Sequence, residues 1–108
     1  MRTEEFKKLV ARVFSEESTL IEAKGMEYTK GNKDRLYNFK SISEEIDVSP
    51  LKVWYVYFKK HADAITSFVK FGKVKSNESI QSRFADARNY LLLGLALLED
   101  LEDAKNKN

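Results

Sequence analysis

Four side chains that carry oxygen atoms recur along the last predicted helix at a spacing that places them on one face. The members of this stripe are Glu78, Ser82, Asp86 and Asn89. Residues three or four apart are neighbours on a helix surface, and carboxylates one or two turns apart suit Mg²⁺, which combines a few carboxylates with waters and substrate phosphates. The alternative is a solvated polar face, in which Glu78 interacts with the helix dipole and Arg83 pairs with Asp86.

The first predicted helix carries an acidic group that a metal site would also use. Glu17 falls on the side of the helix where Leu9 and Val13 predict burial, and Glu16 and Glu22 flank it. A buried carboxylate needs a partner. Glu17 therefore either faces the carboxylates of the last helix through a metal ion or pairs with an arginine or lysine of a neighbouring helix.

His61 is the only histidine, and it lies on the apolar seam of the third predicted helix. No serine or cysteine motif accompanies it, so a nucleophilic triad has no support, and we expect a core histidine. Three tyrosines near three lysines suit base stacking beside phosphate contacts, although aromatics at helical spacing are also typical of a core. These residues are Tyr37, Tyr55, Tyr57, Lys52, Lys59 and Lys60.

Polar residues also concentrate around the connection into the second predicted helix. Such loops often face ligands. The alternative is that these residues are polar because the loop is exposed to solvent. No phosphate-binding glycine motif occurs there, since Gly25 and Gly31 stand apart. The polar set is Lys24, Glu27, Tyr28, Asn32, Asp34, Arg35, Asn38 and Lys40.

The first two helices that must position these groups are bounded by capping and breaking residues. The first is predicted from the N-cap Thr3 to about Lys24 and Gly25. The stretch that follows lacks apolar periodicity, so we expect a loop. The second helix is predicted over about 34–46, where apolar residues again lie on one side.

The third helix is predicted to begin at Ser49 and Pro50, because serine caps a helix and proline at its first position loses no hydrogen bond. Its apolar residues recur every three or four positions. The segment 53–58 has high β propensity, which makes a strand the competing interpretation. The helical spacing continues well past that segment, and it favours the helix.

The fourth helix is predicted from about Asn77 to Ala104, with Ser76 or Asn77 as its cap. Its segment 90–98 is apolar on every side, whereas a small bundle usually leaves one face of each helix wet. We therefore expect the protein to form a homo-oligomer. The stripe expected to face the core is Ile80, Phe84, Ala87, Leu91, Leu95, Leu98 and Leu101.

The composition predicts one small all-α domain in water. A chain of 108 residues with 43% hydrophobic residues suits a single core, so we expect one four-helix bundle-like domain over 1–103 and a flexible tail over 104–108. A formal charge of +2 does not imply a nucleic-acid partner. The absence of cysteine fits the cytoplasm, and no segment reaches the apolar length of a membrane span.

Five short patterns in a fixed order carry a family likeness. They are Lys24-Gly-Met-Glu-Tyr28, Asn38-Phe39-Lys40, Ser49-Pro50, Lys60-His61 with Ala64-Ile65, and Glu78-x₄-Arg83-x₂-Asp86-x₂-Asn89-Tyr90. In this order they resemble the phage and prophage proteins of the nucleotide-modification-associated domain type. The resemblance covers about residues 20–98 and is sharpest over 78–93.

The resemblance implies an all-α fold encoded by phages, a role in nucleotide metabolism or DNA base modification, and a distant likeness to MazG-type nucleotide pyrophosphatases. Those enzymes hold Mg²⁺ between acidic pairs on facing helices, bind a triphosphate and position water for attack. The metal ligands that this likeness implies are Glu78, Asp86, Glu17 and Glu22. The implied nucleotide contacts are Lys24, Tyr28, Asn38, Lys60, Arg83 and Asn89.

Two functions are therefore expected. The first is a nucleotide-binding protein of the host-cell cytoplasm, with Mg²⁺-dependent nucleoside triphosphate pyrophosphohydrolysis as its enzymatic form. The alternative is a non-enzymatic oligomer that sequesters a nucleotide signal or inhibits a host defence protein. The alternative rests on two departures from the MazG type: Ser82 stands where a second acidic residue is often found, and the first helix lacks a Glu-Glu-x-x-Glu run.

Overall fold

The computed structural model describes residues 1–28, 33–73 and 78–106, and for 24–28 it describes the backbone alone. The regular secondary structure of these residues is helical. The helices are α1 (Thr3–Tyr28), α2 (Tyr37–Ile46), α3 (Pro50–Phe71) and α4 (Ile80–Asn106). No strand occurs in these ranges, so the predicted all-α fold is confirmed. None of the described helices has both the length and the apolar content that crossing a membrane requires.

Local signals explain where α3 begins and ends. The hydroxyl oxygen of Ser49 accepts a hydrogen bond from the backbone N–H three residues later at 3.2 Å, and Pro50 occupies the first helical position. At the other end, Gly72 takes the left-handed conformation with φ of 72° and donates its N–H to the carbonyl oxygen of Phe68 at 2.7 Å. The predicted start of α3 is confirmed, and the competing strand over 53–58 is wrong.

The boundaries of α1 and α2 differ from those predicted. α1 continues through Gly25 to Tyr28, because one glycine costs a helix interior only about 1 kcal/mol relative to alanine. α2 begins later than expected, at Tyr37. The preceding Leu36 is buried, and its carbonyl oxygen accepts the first backbone hydrogen bonds of the helix. Residues 34–36 therefore belong to the turn into α2.

α4 begins later than predicted, which changes the position of Glu78. The hydroxyl oxygen of Ser79 accepts a hydrogen bond from the backbone N–H of Ser82 at 3.1 Å, so Ser79 is the N-cap. Glu78 precedes the helix rather than lying in its first turn. The expected caps Ser76 and Asn77 lie outside the described residues. At its other end α4 continues to Asn106, past the start of the tail expected over 104–108.

The chain divides into two compact units, Met1–Arg35 and Leu36–Asn108. The first contains α1. In the second, α3 packs against both α2 and α4. Its core comprises Leu36, Phe39, Val53, Leu93 and Leu97, with Ile42, Trp54, Tyr90 and Ala96 packed around them. Removal of this apolar surface from water stabilises the unit, at about 25 cal/mol per Å² buried.

The side of α4 that enters the core is the main correction to the sequence-based expectation. Ala87, Leu93, Gly94 and Leu97 are buried, whereas five of the seven expected core residues are 39% to 54% exposed. Apolar periodicity cannot define a face where nearly every position is apolar. The small residues define it instead, because they let α3 approach closely. The exposed five are Phe84, Leu91, Leu95, Leu98 and Leu101.

Trp54 of α3 lies directly against Gly94 of α4. A Cβ atom at position 94 would come within 2.6 Å of two carbons of the indole ring. The indole N–H donates a hydrogen bond to the carbonyl oxygen of Tyr90, and the ring stacks on Phe58 with centroids 5.2 Å apart. These contacts fix the register between α3 and α4, and that register positions the polar residues described next.

Candidate functional site

A group of polar side chains lies where α3 meets the first half of α4. We call it the α3–α4 polar cluster, and its members are His61, Glu78, Arg83, Asp86 and Asn89. Nε of Arg83 lies 3.3 Å from an Oε atom of Glu78, and Nδ1 of His61 lies 3.9 Å from an Oδ atom of Asp86. The side chains of His61, Arg83 and Asp86 are only 12% to 14% exposed. Within the predicted stripe, Asp86 and Asn89 are therefore not solvated, whereas Glu78 is exposed, as the alternative interpretation of a solvated face expects.

His61 is held in its neutral form at neutral pH. Burial lowers the pKa of His61 below its usual value of 6.5, and it outweighs the opposing effect of Asp86. Lys60 and Arg83 lower the pKa further, whereas Glu78 raises it. A neutral imidazole has one nitrogen that donates and one that accepts. His61 can therefore offer a ligand either role without bringing a charge into the cluster.

Asn89 is the most buried polar side chain of the cluster. It is 6% exposed, and its Oδ1 atom has no hydrogen-bond partner among the described residues. Leaving a buried acceptor unsatisfied costs about 1–3 kcal/mol. The Oδ1 atom of Asn89, one helical turn beyond Asp86, is suited to accept a hydrogen bond from an N–H group of a small molecule.

Aromatic rings connect the cluster to the hydrophobic core. Tyr57 and Tyr90 stack with centroids 6.2 Å apart and planes 13° apart, and Phe39 meets both edge-on at 6.1 and 6.3 Å. The ring of His61 lies 4.8 Å from that of Tyr90. We call Phe39, Tyr57 and Tyr90 the aromatic wall. Tyr90 joins this wall to the cluster through its contact with His61, and Tyr57 is 40% exposed.

The expected metal ligands belong to different units of the structure. Glu17 and Glu22 lie on α1, where Glu17 is buried, as its inward position predicted, and Glu22 is exposed. Glu78 and Asp86 lie in the second unit, with Glu78 against the guanidinium of Arg83. Over the described ranges, no three His, Asp or Glu side chains form a group able to hold a metal ion. Magnesium binding stays a prediction.

The six expected nucleotide contacts are distributed over the chain. Two of them, Lys24 and Tyr28, have side chains outside the described part of the structure. Asn38 is half-buried on α2, and Lys60 is exposed on α3 next to His61. The remaining two belong to the α3–α4 polar cluster. Arg83 lies against Glu78 at the start of α4, and Asn89 is buried almost two helical turns further along the same helix.

His61, a member of the cluster, and Tyr90, which borders it, were not among the predicted site residues. His61 was expected as a core histidine, and Tyr90 was assigned to the apolar segment of α4. A signal for Tyr90 was present in the sequence, because Tyr90 follows Asp86 by four residues and Arg83 precedes Asp86 by three. That spacing places all three on one helix face.

The fold and the cluster define a small all-α protein with a polar site between two packed helices. No protein-family model, curated protein or solved structure matches the chain. The resemblance to the phage nucleotide-modification-associated domain type therefore stays a prediction, and function is argued from the cluster itself.

Proposed function

We propose that the protein binds a nucleotide, or a small molecule derived from one, at the α3–α4 polar cluster. The observation that carries the proposal is Asn89, a side chain 6% exposed whose Oδ1 atom lacks a hydrogen-bond partner among the described residues. The N–H groups of a nucleobase offset the cost of such an acceptor. Neutral His61 adds a second uncharged group that can form a hydrogen bond with the ligand.

Arg83 supplies the contact for phosphate. Its guanidinium is 13% exposed and lies against Glu78, whose side chain is 53% exposed. Charge-assisted hydrogen bonds from arginine to phosphate are among the strongest in proteins. An incoming phosphate replaces the Glu78 carboxylate beside Arg83, and Glu78 then moves into solvent. The exposed Lys60 adds attraction for anions at longer range.

The aromatic wall supports a base as the other part of the ligand. A nucleobase has a π-face that stacks on tyrosine, and such stacking contributes about 1–3 kcal/mol per base. Tyr57 presents an exposed edge of the wall. The predicted resemblance to a phage family associated with nucleotides also favours this ligand over other small anions.

Calorimetric titration with a panel of ribo- and deoxynucleoside mono- and triphosphates, with and without Mg²⁺, tests the proposal. Binding by the unmodified chain and a loss of affinity of about 10- to 100-fold in Arg83→Gln are expected, because hydrogen bonds to charged groups contribute about 1.5–3 kcal/mol. Arg12→Gln on α1 makes the same charge change at an exposed side chain and should bind normally. No binding by any nucleotide, or equal loss in both variants, would contradict the proposal.

Asn89→Leu separates the site from the scaffold. Leucine has a similar volume and no acceptor, so this variant should retain its free energy of unfolding while losing nucleotide binding. Binding equal to that of the unmodified chain would show that the Oδ1 atom of Asn89 does not meet the ligand. Chemical denaturation measured beside the titration distinguishes lost binding from lost folding.

The exposed apolar residues of α4 favour a second candidate function, a non-enzymatic oligomer that sequesters a nucleotide signal or inhibits a host protein. Leu91, Leu95 and Leu98 are each about half exposed, and contiguous apolar surface of this kind is typical of interaction sites. Release of pyrophosphate from a triphosphate in the presence of Mg²⁺ would favour the enzymatic form. Tight binding with no turnover would favour sequestration.

A further inference from the structure

One side of α4 carries large apolar side chains that lie outside the core. Phe84, Leu91, Leu95 and Leu98 are 45%, 54%, 54% and 49% exposed, and their spacing of seven, four and three residues aligns them along the helix. We call these four residues the α4 apolar face. It differs from the side of α4 that enters the core, which Leu93, Gly94 and Leu97 form.

The charges along α4 are divided between its two ends. After residue 98 the helix carries four acidic residues and a single lysine, whereas Arg88 interrupts the apolar stripe nearer its start. Acidic side chains near a helix C-terminus are unfavourable, because the helix dipole is negative there. A helix laid alongside in the opposite direction would bring its positive end to these acids. The acidic residues are Glu99, Asp100, Glu102 and Asp103. Asp100 pairs with Lys40 of α2 at 2.7 Å, and Glu102 is the acid that aligns with the α4 apolar face.

We propose that two copies of the chain pair through the α4 apolar face with their α4 helices antiparallel. A two-fold axis near residue 93 places Leu91 of one copy against Leu95 of the other, and Phe84 near Glu102. The same arrangement places Arg88 of each copy opposite Leu98 of the second copy, one helical turn from Glu102 and within reach of its carboxylate. The interface therefore matches apolar with apolar residues and Arg88 with Glu102, and each contact occurs twice, as a two-fold dimer requires.

A parallel arrangement of the two α4 helices fits these observations less well. A parallel pair would set Glu102 of one helix against Glu102 of the other, and like charges in contact are destabilising. The antiparallel pair removes that repulsion and buries the apolar residues together. The interface does not use the α3–α4 polar cluster, so the tests of dimerisation are independent of the tests of nucleotide binding.

Light scattering and sedimentation at micromolar concentrations give the first test. The unmodified chain should approach twice its mass of 12.5 kDa as concentration rises. Leu95→Glu should remain at the monomer mass, because it places charge at the centre of the interface. Val69→Glu, which introduces the same charge at an apolar residue that is 77% exposed on α3, should still dimerise. A monomer mass for the unmodified chain, or a dimer of Leu95→Glu, would overturn the proposal.

A charge reversal tests the complementarity without touching an apolar side chain. Glu102→Lys should raise the dimer dissociation constant several-fold, because it replaces attraction to Arg88 of the second copy with repulsion. Glu45→Lys makes the same change at an exposed position of α2 and should leave the constant unchanged. Equal effects of the two variants would contradict the proposed pairing.

Engineered cysteines test the direction of the helices, since the chain has no cysteine of its own. Gln81 and Lys105 continue the stripe at its two ends, and both are exposed. In the antiparallel pair they face one another, whereas two Gln81 residues are about 36 Å apart at 1.5 Å per residue, beyond disulfide reach. A mixture of Gln81→Cys and Lys105→Cys should form the mixed disulfide under mild oxidation. Faster self-linking of Gln81→Cys would overturn the antiparallel arrangement.

Discussion

Substitution of Gly94 by alanine tests the contact that fixes α3 against α4. In an isolated helix this change is stabilising, because alanine is favoured over glycine by about 1 kcal/mol. Here the added Cβ would approach two carbons of the Trp54 indole to 2.6 Å. The indole is held by its hydrogen bond to the carbonyl of Tyr90 and by its stacking on Phe58, so it cannot simply rotate away.

The expected magnitude follows from three contributions. Overpacking of a well-filled site costs about 1–3 kcal/mol, and a weakened Trp54 hydrogen bond costs about 1 kcal/mol more. The helix-propensity gain offsets about 1 kcal/mol of this total. Gly94→Ala should therefore lower the free energy of unfolding by about 2 kcal/mol, opposite in sign to the propensity effect.

Urea denaturation followed by far-ultraviolet circular dichroism measures this change, because the helical signal remains when the single tryptophan is replaced. The double variant Gly94→Ala with Trp54→Phe is the matched comparison, since the smaller ring relieves the overlap. The cost of Gly94→Ala should be smaller in the Trp54→Phe background than in the unmodified chain. A stabilised Gly94→Ala, or an identical cost in both backgrounds, would refute the contact and the register of α3 and α4 inferred from it.

Three further predictions concern the cluster and the helix ends. Glu78→Gln should strengthen metal-free nucleotide binding several-fold, because it removes the carboxylate that competes with phosphate for Arg83. If Glu78 is instead a metal ligand, the same variant should bind nucleotide more weakly in Mg²⁺. Calorimetry with and without Mg²⁺ distinguishes the two roles. Because burial lowers the folded pKa of His61 below 6.5, the free energy of unfolding should fall as the pH drops below about 6.5, and His61→Gln should reduce that fall in denaturation at several pH values. Ser49→Ala removes the N-cap of α3 and should cost about 1 kcal/mol in thermal unfolding.

Much of the fold was predictable because its signals are local. Ser49 and Pro50 define the start of α3 through hydrogen bonding and a fixed φ, and these effects need no knowledge of the rest of the chain. The core side of α4 was not predictable in the same way. Between residues 90 and 98 almost every side chain is apolar, and the choice depends on where Trp54 finds the space left by Gly94.

The candidate site was predictable only where it depends on local helix spacing. The spacing of Asp86 and Asn89 correctly indicated one helix face, but not whether that face meets solvent or α3. The register set at Gly94 places it against α3 and brings His61 to Asp86. Contacts between residues distant in sequence, such as this one, follow from packing and cannot be obtained from spacing alone.

Nuclear magnetic resonance titration of the isotopically labelled protein with the best nucleotide of the panel tests the central claim most directly. The side-chain amide of Asn89 and the guanidinium N–H of Arg83 give signals of their own. Both should shift in a saturable way, together with backbone signals around His61 and Asp86. Shifts confined to other parts of the chain, or none at nucleotide concentrations that saturate binding, would contradict a nucleotide site in the α3–α4 polar cluster.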